Sequence, residues 1–339
     1  MGHLQGYNNK IRVKLQKIDI KGRRMFMDLM TQVFFLVIGF VLLVKGADWF
    51  VEGAASIADK FGIPQIVIGL TIVAMGTSAP EAAVSISAEM KGSAEITIGN
   101  VLGSNILNVL IILGLTAVIR SIFVQRTTIF YEIPMVIGVT VLLAVMGLQN
   151  NVVGRLEGII LMGCMVIYMM YLLRLAKRGT VDNADLDEFA QSASMGKLIL
   201  LVIVGVVAIV WGSDIAVNAA TAIARIFGMS ERFIGLTIVA LGTSLPELVT
   251  SVTAAMKGNC DIAVGNIVGS NLFNIMFVVG LTAIITPVVY VSAFKVDSLI
   301  AIGAVVLLWL CVFRKQTLNR LHGIIMLACY GGYFAYLMI

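Results

Sequence analysis

The chain has 339 residues, of which 59% are hydrophobic and 13% charged, with a mean hydropathy of +1.00. Soluble globular chains carry about a quarter charged residues, so a water-soluble globule is excluded. The formal net charge is +5, the same as that of residues 1–30 alone, so the remainder is balanced and no nucleic-acid partner is expected. Apolar blocks of about 20 residues, enough to span a bilayer, recur along the sequence. The composition describes an all-α polytopic membrane protein whose surroundings are the lipid bilayer.

Taken in order, residues 1–30 form a basic tail with Lys10, Arg12, Lys14, Lys17, Lys21, Arg23 and Arg24 against Asp19 and Asp28. The tail has neither an apolar core nor a small-residue cleavage site and does not read as a signal peptide. It could bind anionic lipid, and Met25, Met27 and Met30 stand just ahead of the first apolar block as alternative starts. Ten spans are expected, at 31–56, 64–90, 95–119, 128–147, 152–174, 197–226, 231–256, 261–285, 296–313 and 319–338. In the first, Lys45, Asp48 and Glu52 beside Trp49 fit an interfacial belt with snorkelling charges.

Asp48 recurs, however, as Asp214. A shift of 166 residues superposes Gly46 on Gly212, Asp48 on Asp214, Glu81 on Glu247 and Asn108 on Asn274, with 28 identities in 50 over positions 68–117. The chain thus divides into a first five-helix repeat at 31–174, a polar linker at 175–196 and a second five-helix repeat at 197–339. Because each unit holds an odd number of spans, the second enters the membrane from the opposite side. This predicts two inverted-topology repeats of five helices, the plan of many secondary transporters.

The linker carries Asp182, Asp185, Asp187 and Glu188, but their spacing does not match a calcium-binding EF-hand loop, so it reads as solvated. Outside the tail, eleven Lys or Arg lie in loops on the linker's side and five on the other. The expected arrangement is a multi-pass protein of the cell's inner (plasma) membrane, with the linker cytoplasmic and both termini external.

Two polar signatures interrupt the apolar pattern in each repeat. The first is Gly76-Thr77-Ser78-Ala79-Pro80-Glu81, matched by Gly242-Thr243-Ser244-Leu245-Pro246-Glu247. A carboxylate at a helix centre in a bilayer costs about 2.5–3.5 kcal/mol, so two at matching positions point to a cavity or an ion. The second signature runs from Gly99-Asn100 through Gly103-Ser104-Asn105 to Asn108, and from Gly265-Asn266 through Gly269-Ser270-Asn271 to Asn274. Ser104 and Asn108 share a helical face, as do Ser270 and Asn274. The glycines serve helix packing or close approach to the site, and both readings stand.

Pro80 and Pro246 are expected to free carbonyls near Ala74, Thr77, Ala240 and Thr243. Cys164, Cys260, Cys311 and Cys329 are scattered and only His3 and His322 are present, so any metal chemistry must use oxygen ligands. Carbonyls, hydroxyls, amide oxygens and two carboxylates suit hard cations, and a charge of −2 matches one Ca²⁺ or two Na⁺.

At these residues the chain resembles the calcium:cation antiporter superfamily, and most closely the prokaryotic sodium/calcium exchanger family. The resemblance covers 31–339 and implies ten helices, a midplane site, and Na⁺-driven exchange of Ca²⁺ in which the first and sixth helices slide to gate access. Carried across by motif position, it implies Glu81, Asn108, Thr77, Ser78, Ser104 and the Ala74 carbonyl as ligands. From the second repeat it implies Glu247, Asn274, Thr243, Ser244, Ser270 and the Ala240 carbonyl. Some members have Asp where Asn274 stands, which leaves potassium use and stoichiometry open. No cofactor is expected beyond the transported Ca²⁺ and Na⁺, and oligomeric state is not fixed.

An H⁺/Ca²⁺ or other cation antiporter is the alternative. A channel would not need two inverted sites. A hydrolase built on Ser78 or Ser244 would lack a His or Lys base recurring in the repeat.

Overall fold

The computed structural model describes the backbone of residues 2–90, 96–178, 193–228, 240–292 and 294–337, and their side chains except at 2–25, 83, 84, 87–90, 96, 150, 178 and 240. Most of the expected linker and the start of the expected seventh span, 231–239, therefore lie outside the described residues.

The tail and the first apolar block form one helix, α1 (Gly2–Phe61), about 90 Å long at 1.5 Å per residue. It stops where Gly62 adopts φ +62°. The amides of Gly62 and Ile63 then reach back to the carbonyls of Asp59 and Ala58, and Pro64 follows, a Schellman ending that only a residue tolerant of positive φ can make.

The next span is broken. Helix α2 covers residues 65–77, with a wide π turn at Gly69–Val73, and α3 runs Ala79–Met90. Between them Ser78 leaves the helical region, with φ −82° and ψ 4°. The equivalent break is at Ser244, φ −93° and ψ 5°, and it separates α8 (Ala240–Thr243) from α9 (Leu245–Met256).

Helix α4 (residues 96–119) and helix α10 (residues 260–285) each carry a π turn in mid-course, at Asn108–Leu113 and Asn274–Val279. The remaining helices are α5 (residues 128–150), α6 (Arg155–Arg178), α7 (Met195–Ile226), α11 (Phe294–Phe313) and α12 (Arg320–Leu337).

Among the described residues seven helices (α1, α4, α5, α6, α7, α10 and α11) are individually long and apolar enough to cross a membrane. The other three expected spans are the two broken pairs and α12, which is diluted by His322 and three tyrosines, Tyr330, Tyr333 and Tyr336.

Burial sorts the helices into layers. The apolar windows of α10 and α4 are 83% and 72% buried, against 11% for α1, so α4 and α10 form the centre and α1 the lipid-facing edge. Helices α1 and α7 pack antiparallel through glycines seven residues apart, with Gly39 against Gly212, Gly46 against Gly205 and Gly53 against Leu198. A Cβ on Gly46 would stand 2.9 Å from the Gly205 carbonyl, so the backbones touch only because side chains are missing.

In the core, Gly265 and Gly269 fit against the α2 backbone, where a Cβ would lie 3.0 Å from Gly69 and 2.8 Å from the Leu70 carbonyl. For this pair the packing reading of the motif glycines holds.

Two short antiparallel ladders close the ends of the bundle. They join β1 (Ile122–Phe123) to β4 (Thr317–Leu318), and β2 (Val152–Val153) to β3 (Val288–Val289). Each ladder ties a loop of the first half to one of the second. Helix α6 likewise leans on α10 at Gly158 and Gly280, and α12 on α4 at Gly114 and Gly323.

Candidate ion site

The two breaks put the carboxylates where a helix begins. Glu81 and Glu247 each lie in the first turn of the half-helix after a broken turn, where unpaired amides favour negative charge. Both side chains are fully buried. Asn100 and Asn266 hold these half-helices against the central pair. Asn100 Nδ2 donates to the Glu81 carbonyl at 3.3 Å and to Ser85 Oγ at 2.9 Å, and Asn266 Nδ2 donates to the Glu247 carbonyl at 3.3 Å and to Ser251 Oγ at 2.8 Å.

The remaining hydroxyls tie the broken spans to one another and to α10. Ser78 Oγ donates to Glu247 Oε1 at 2.9 Å, bridging the two broken spans. Thr77 Oγ1 donates to Asn266 Oδ1 at 2.9 Å, and Ser270 Oγ reaches the Ala74 carbonyl at 3.4 Å. Ser104 is buried one turn before Asn108, and Thr243 is half-buried at the end of α8. Ala240 opens α8, but its surroundings lie outside the described residues.

One expectation needs correcting in detail. The Ala74 carbonyl keeps its helical donor, the Ser78 amide at 3.0 Å. A proline deprives the carbonyl four residues before it, so the carbonyl left by Pro80 is that of Gly76.

Several buried oxygens have no hydrogen-bond partner. Those near the two breaks include both carboxylate oxygens of Glu81, Oε2 of Glu247, Oδ1 of Asn108 and Oδ1 of Asn274, with Ser244 Oγ beside Glu81 but without a bond of normal geometry, while Thr128, Glu132, Tyr168 and Thr282 carry others elsewhere in the bundle. Thr250, one turn after Glu247 and also fully buried, adds an unpartnered Oγ1. Among the described residues no three His, Cys, Asp or Glu side chains come together, so the charge here is that of Glu81 and Glu247. Each is near enough to bear on the other, and no basic side chain among the described residues pairs with either.

Two buried carboxylates without compensation cost several kcal/mol each. Hard oxygens, a charge of −2 and a dry surround are what a small cation stripped of water requires.

The sequence reading passed over Asn100, Asn105, Asn266 and Asn271 as site builders. The signal was available, because all four belong to the duplicated motif. Thr250 had no such signal, since Val84 occupies its place in the first repeat.

The chain is also similar to known proteins over most of its length. Residues 31–174 and 197–339 match the profile of the sodium/calcium exchanger protein family. The putative antiporter CaxA of Alkalimonas amylolytica is 40% identical over 307 residues, covering 88% of this chain and 96% of its own length. The sodium/calcium exchanger MaX1 of Methanosarcina acetivorans is 31% identical, with 89% and 97% covered. A solved structure of the sodium-calcium exchanger NCX_Mj superposes with a TM-score of 0.79 at 30% identity, over 91% of this chain and 99% of that one. The chain is therefore a multi-pass membrane antiporter, not an enzyme, and it belongs to the sodium/calcium exchanger family.

Proposed function

We propose that this chain exchanges Ca²⁺ for Na⁺ across the cell's inner membrane by alternating access. Its ten spans would form two inverted repeats, 31–174 and 197–339, with the linker 175–196 cytoplasmic and the termini external. The cation ligands are Glu81, Glu247, Asn108, Asn274, Ser78, Ser244, Thr77, Thr243, Ser104, Ser270 and the carbonyls of Ala74 and Ala240.

The observation that carries this reading is the set of buried, unpartnered oxygens on Glu81, Glu247, Asn108, Asn274 and Ser244, drawn from both broken spans and both central helices. Such atoms are costly unless a cation takes the place of their lost hydration.

The pairing of the two halves fits alternating access, because the same hydroxyl, carboxylate and amide groups recur at matching positions in both units, and two inverted units can exchange conformations around one site.

The test is Ca²⁺ uptake into proteoliposomes loaded with Na⁺, with and without a Na⁺ gradient and then with a pH gradient alone. Uptake that follows the Na⁺ gradient is expected. Uptake driven by pH and indifferent to Na⁺ would replace this reading with H⁺/Ca²⁺ exchange.

A further inference from the structure

Four asparagines on the two central helices form a hydrogen-bonded chain in the order Asn274, Asn105, Asn271, Asn108. Asn105 Nδ2 donates to the Asn271 carbonyl at 3.2 Å, and Asn271 Nδ2 donates to the Asn105 carbonyl at 3.2 Å. Asn274 Nδ2 donates to Asn105 Oδ1 at 3.1 Å, and Asn108 Nδ2 donates to Asn271 Oδ1 at 3.1 Å. All four side chains are buried, with at most 4% of their surface exposed.

The chain of bonds permits one orientation of each amide. A backbone carbonyl can only accept, so the nitrogen end of Asn105 must face the Asn271 carbonyl and its oxygen end must face Asn274. Asn274 must then offer its nitrogen to Asn105, which turns its own Oδ1 the other way. The same steps from Asn271 fix Asn108. The two oxygens so directed are the ones without a partner, Oδ1 of Asn108 and Oδ1 of Asn274. The control crosses the repeats, since Asn105 of the first half orients Asn274 of the second, and Asn271 orients Asn108.

We infer that Asn105 and Asn271 are positioning residues that make Asn274 and Asn108 present oxygen rather than amide hydrogen to the cation, resting on the ligand roles proposed above for Asn108 and Asn274. Without its orienting neighbour an asparagine can turn, and a turned amide points two hydrogens at a positive ion. A carboxylate has oxygen at both ends and needs no such guidance. Asparagine at 108 and 274 therefore depends on asparagine at 105 and 271, whereas aspartate would not.

The experiment is a double-mutant cycle read by Ca²⁺ titration calorimetry on the purified full chain, with melting curves to verify folding. Asn105→Ala should weaken Ca²⁺ binding about 10- to 100-fold, the usual loss when a metal ligand's supporting partner is removed. In an Asn274→Asp background the same Asn105→Ala change should cost little, because the aspartate has no wrong orientation.

A purely structural role for Asn105 predicts equal losses in both backgrounds, and that result would overturn the inference. Undiminished binding by Asn105→Ala would overturn it too. If Asn105→Ala does not fold, Asn271→Ala with and without Asn108→Asp poses the same question from the other end of the chain of asparagines. Failure of the wild-type chain to bind Ca²⁺ would instead remove the ligand reading and the inference with it.

Discussion

Glu247→Gln changes one atom of the site and almost no volume. In the wild type Oε1 accepts from Ser78 Oγ at 2.9 Å, and Oε2 is buried without a partner. A glutamine keeps the Ser78 bond through its own oxygen and puts an NH₂ group where Oε2 stood. The charge of the site falls from −2 to −1, and a donor faces the cation. Removing one partner from a buried charge pair costs about 3–5 kcal/mol, or about two to four decades of Ca²⁺ affinity.

A ligand-induced stability shift makes the loss measurable without transport. At a Ca²⁺ concentration about 100 times the wild-type Kd, bound ion stabilises the protein by about 2.7 kcal/mol, and a 200-fold weaker site retains about 0.2 kcal/mol. The cation-free mutant should behave in the opposite way. It escapes the repulsion between Glu81 and Glu247 and should melt higher than the cation-free wild type. The assay pairs thermal unfolding, with and without Ca²⁺, with radiolabelled Ca²⁺ uptake into Na⁺-loaded proteoliposomes. A mutant that transports near the wild-type rate, or that is less stable than wild type without cations, would refute the reasoning.

Gly46→Leu should force α1 from α7, because even a Cβ there would stand 2.9 Å from the Gly205 carbonyl. A destabilisation of about 1–3 kcal/mol and a large loss of exchange are expected in melting and flux assays, and wild-type behaviour would discount the glycine contact. Lys257 pairs with Asp48 at 2.6 Å and Glu52 at 3.5 Å, but about a third of each side chain is exposed, so the pair is worth only about 0.2–1 kcal/mol. Asp48→Lys combined with Lys257→Asp should recover most of the stability lost by either change alone, and a double mutant no better than the singles would show that the pairing does not matter. Cysteines placed in the linker should resist an impermeant reagent added outside intact cells, as the eleven-to-five bias of basic residues requires, and labelling at position 185 would invert the orientation.

The sequence alone determined that the chain lives in a bilayer, that it is built by duplication, and that two motifs carry its polar chemistry. Those conclusions are local, because the bilayer penalises every buried charge whatever its neighbours, so Glu81 and Glu247 stand out against an apolar background without knowledge of the fold. The repeat is likewise visible in one dimension, as the identities linking 68–117 to 234–283.

Only the tertiary structure decided which motif residues present free oxygens and which direct them. Asn105 and Asn108 read alike in the sequence, yet Asn105 spends its amide on the Asn271 carbonyl while Asn108 keeps Oδ1 unpartnered. That division depends on partners 163 to 169 residues away. The Ser270 contact with the Ala74 carbonyl and the crossed ladders at the bundle ends are hidden for the same reason. Each arises when one half of the chain packs against the other, and no periodicity within either half reports it.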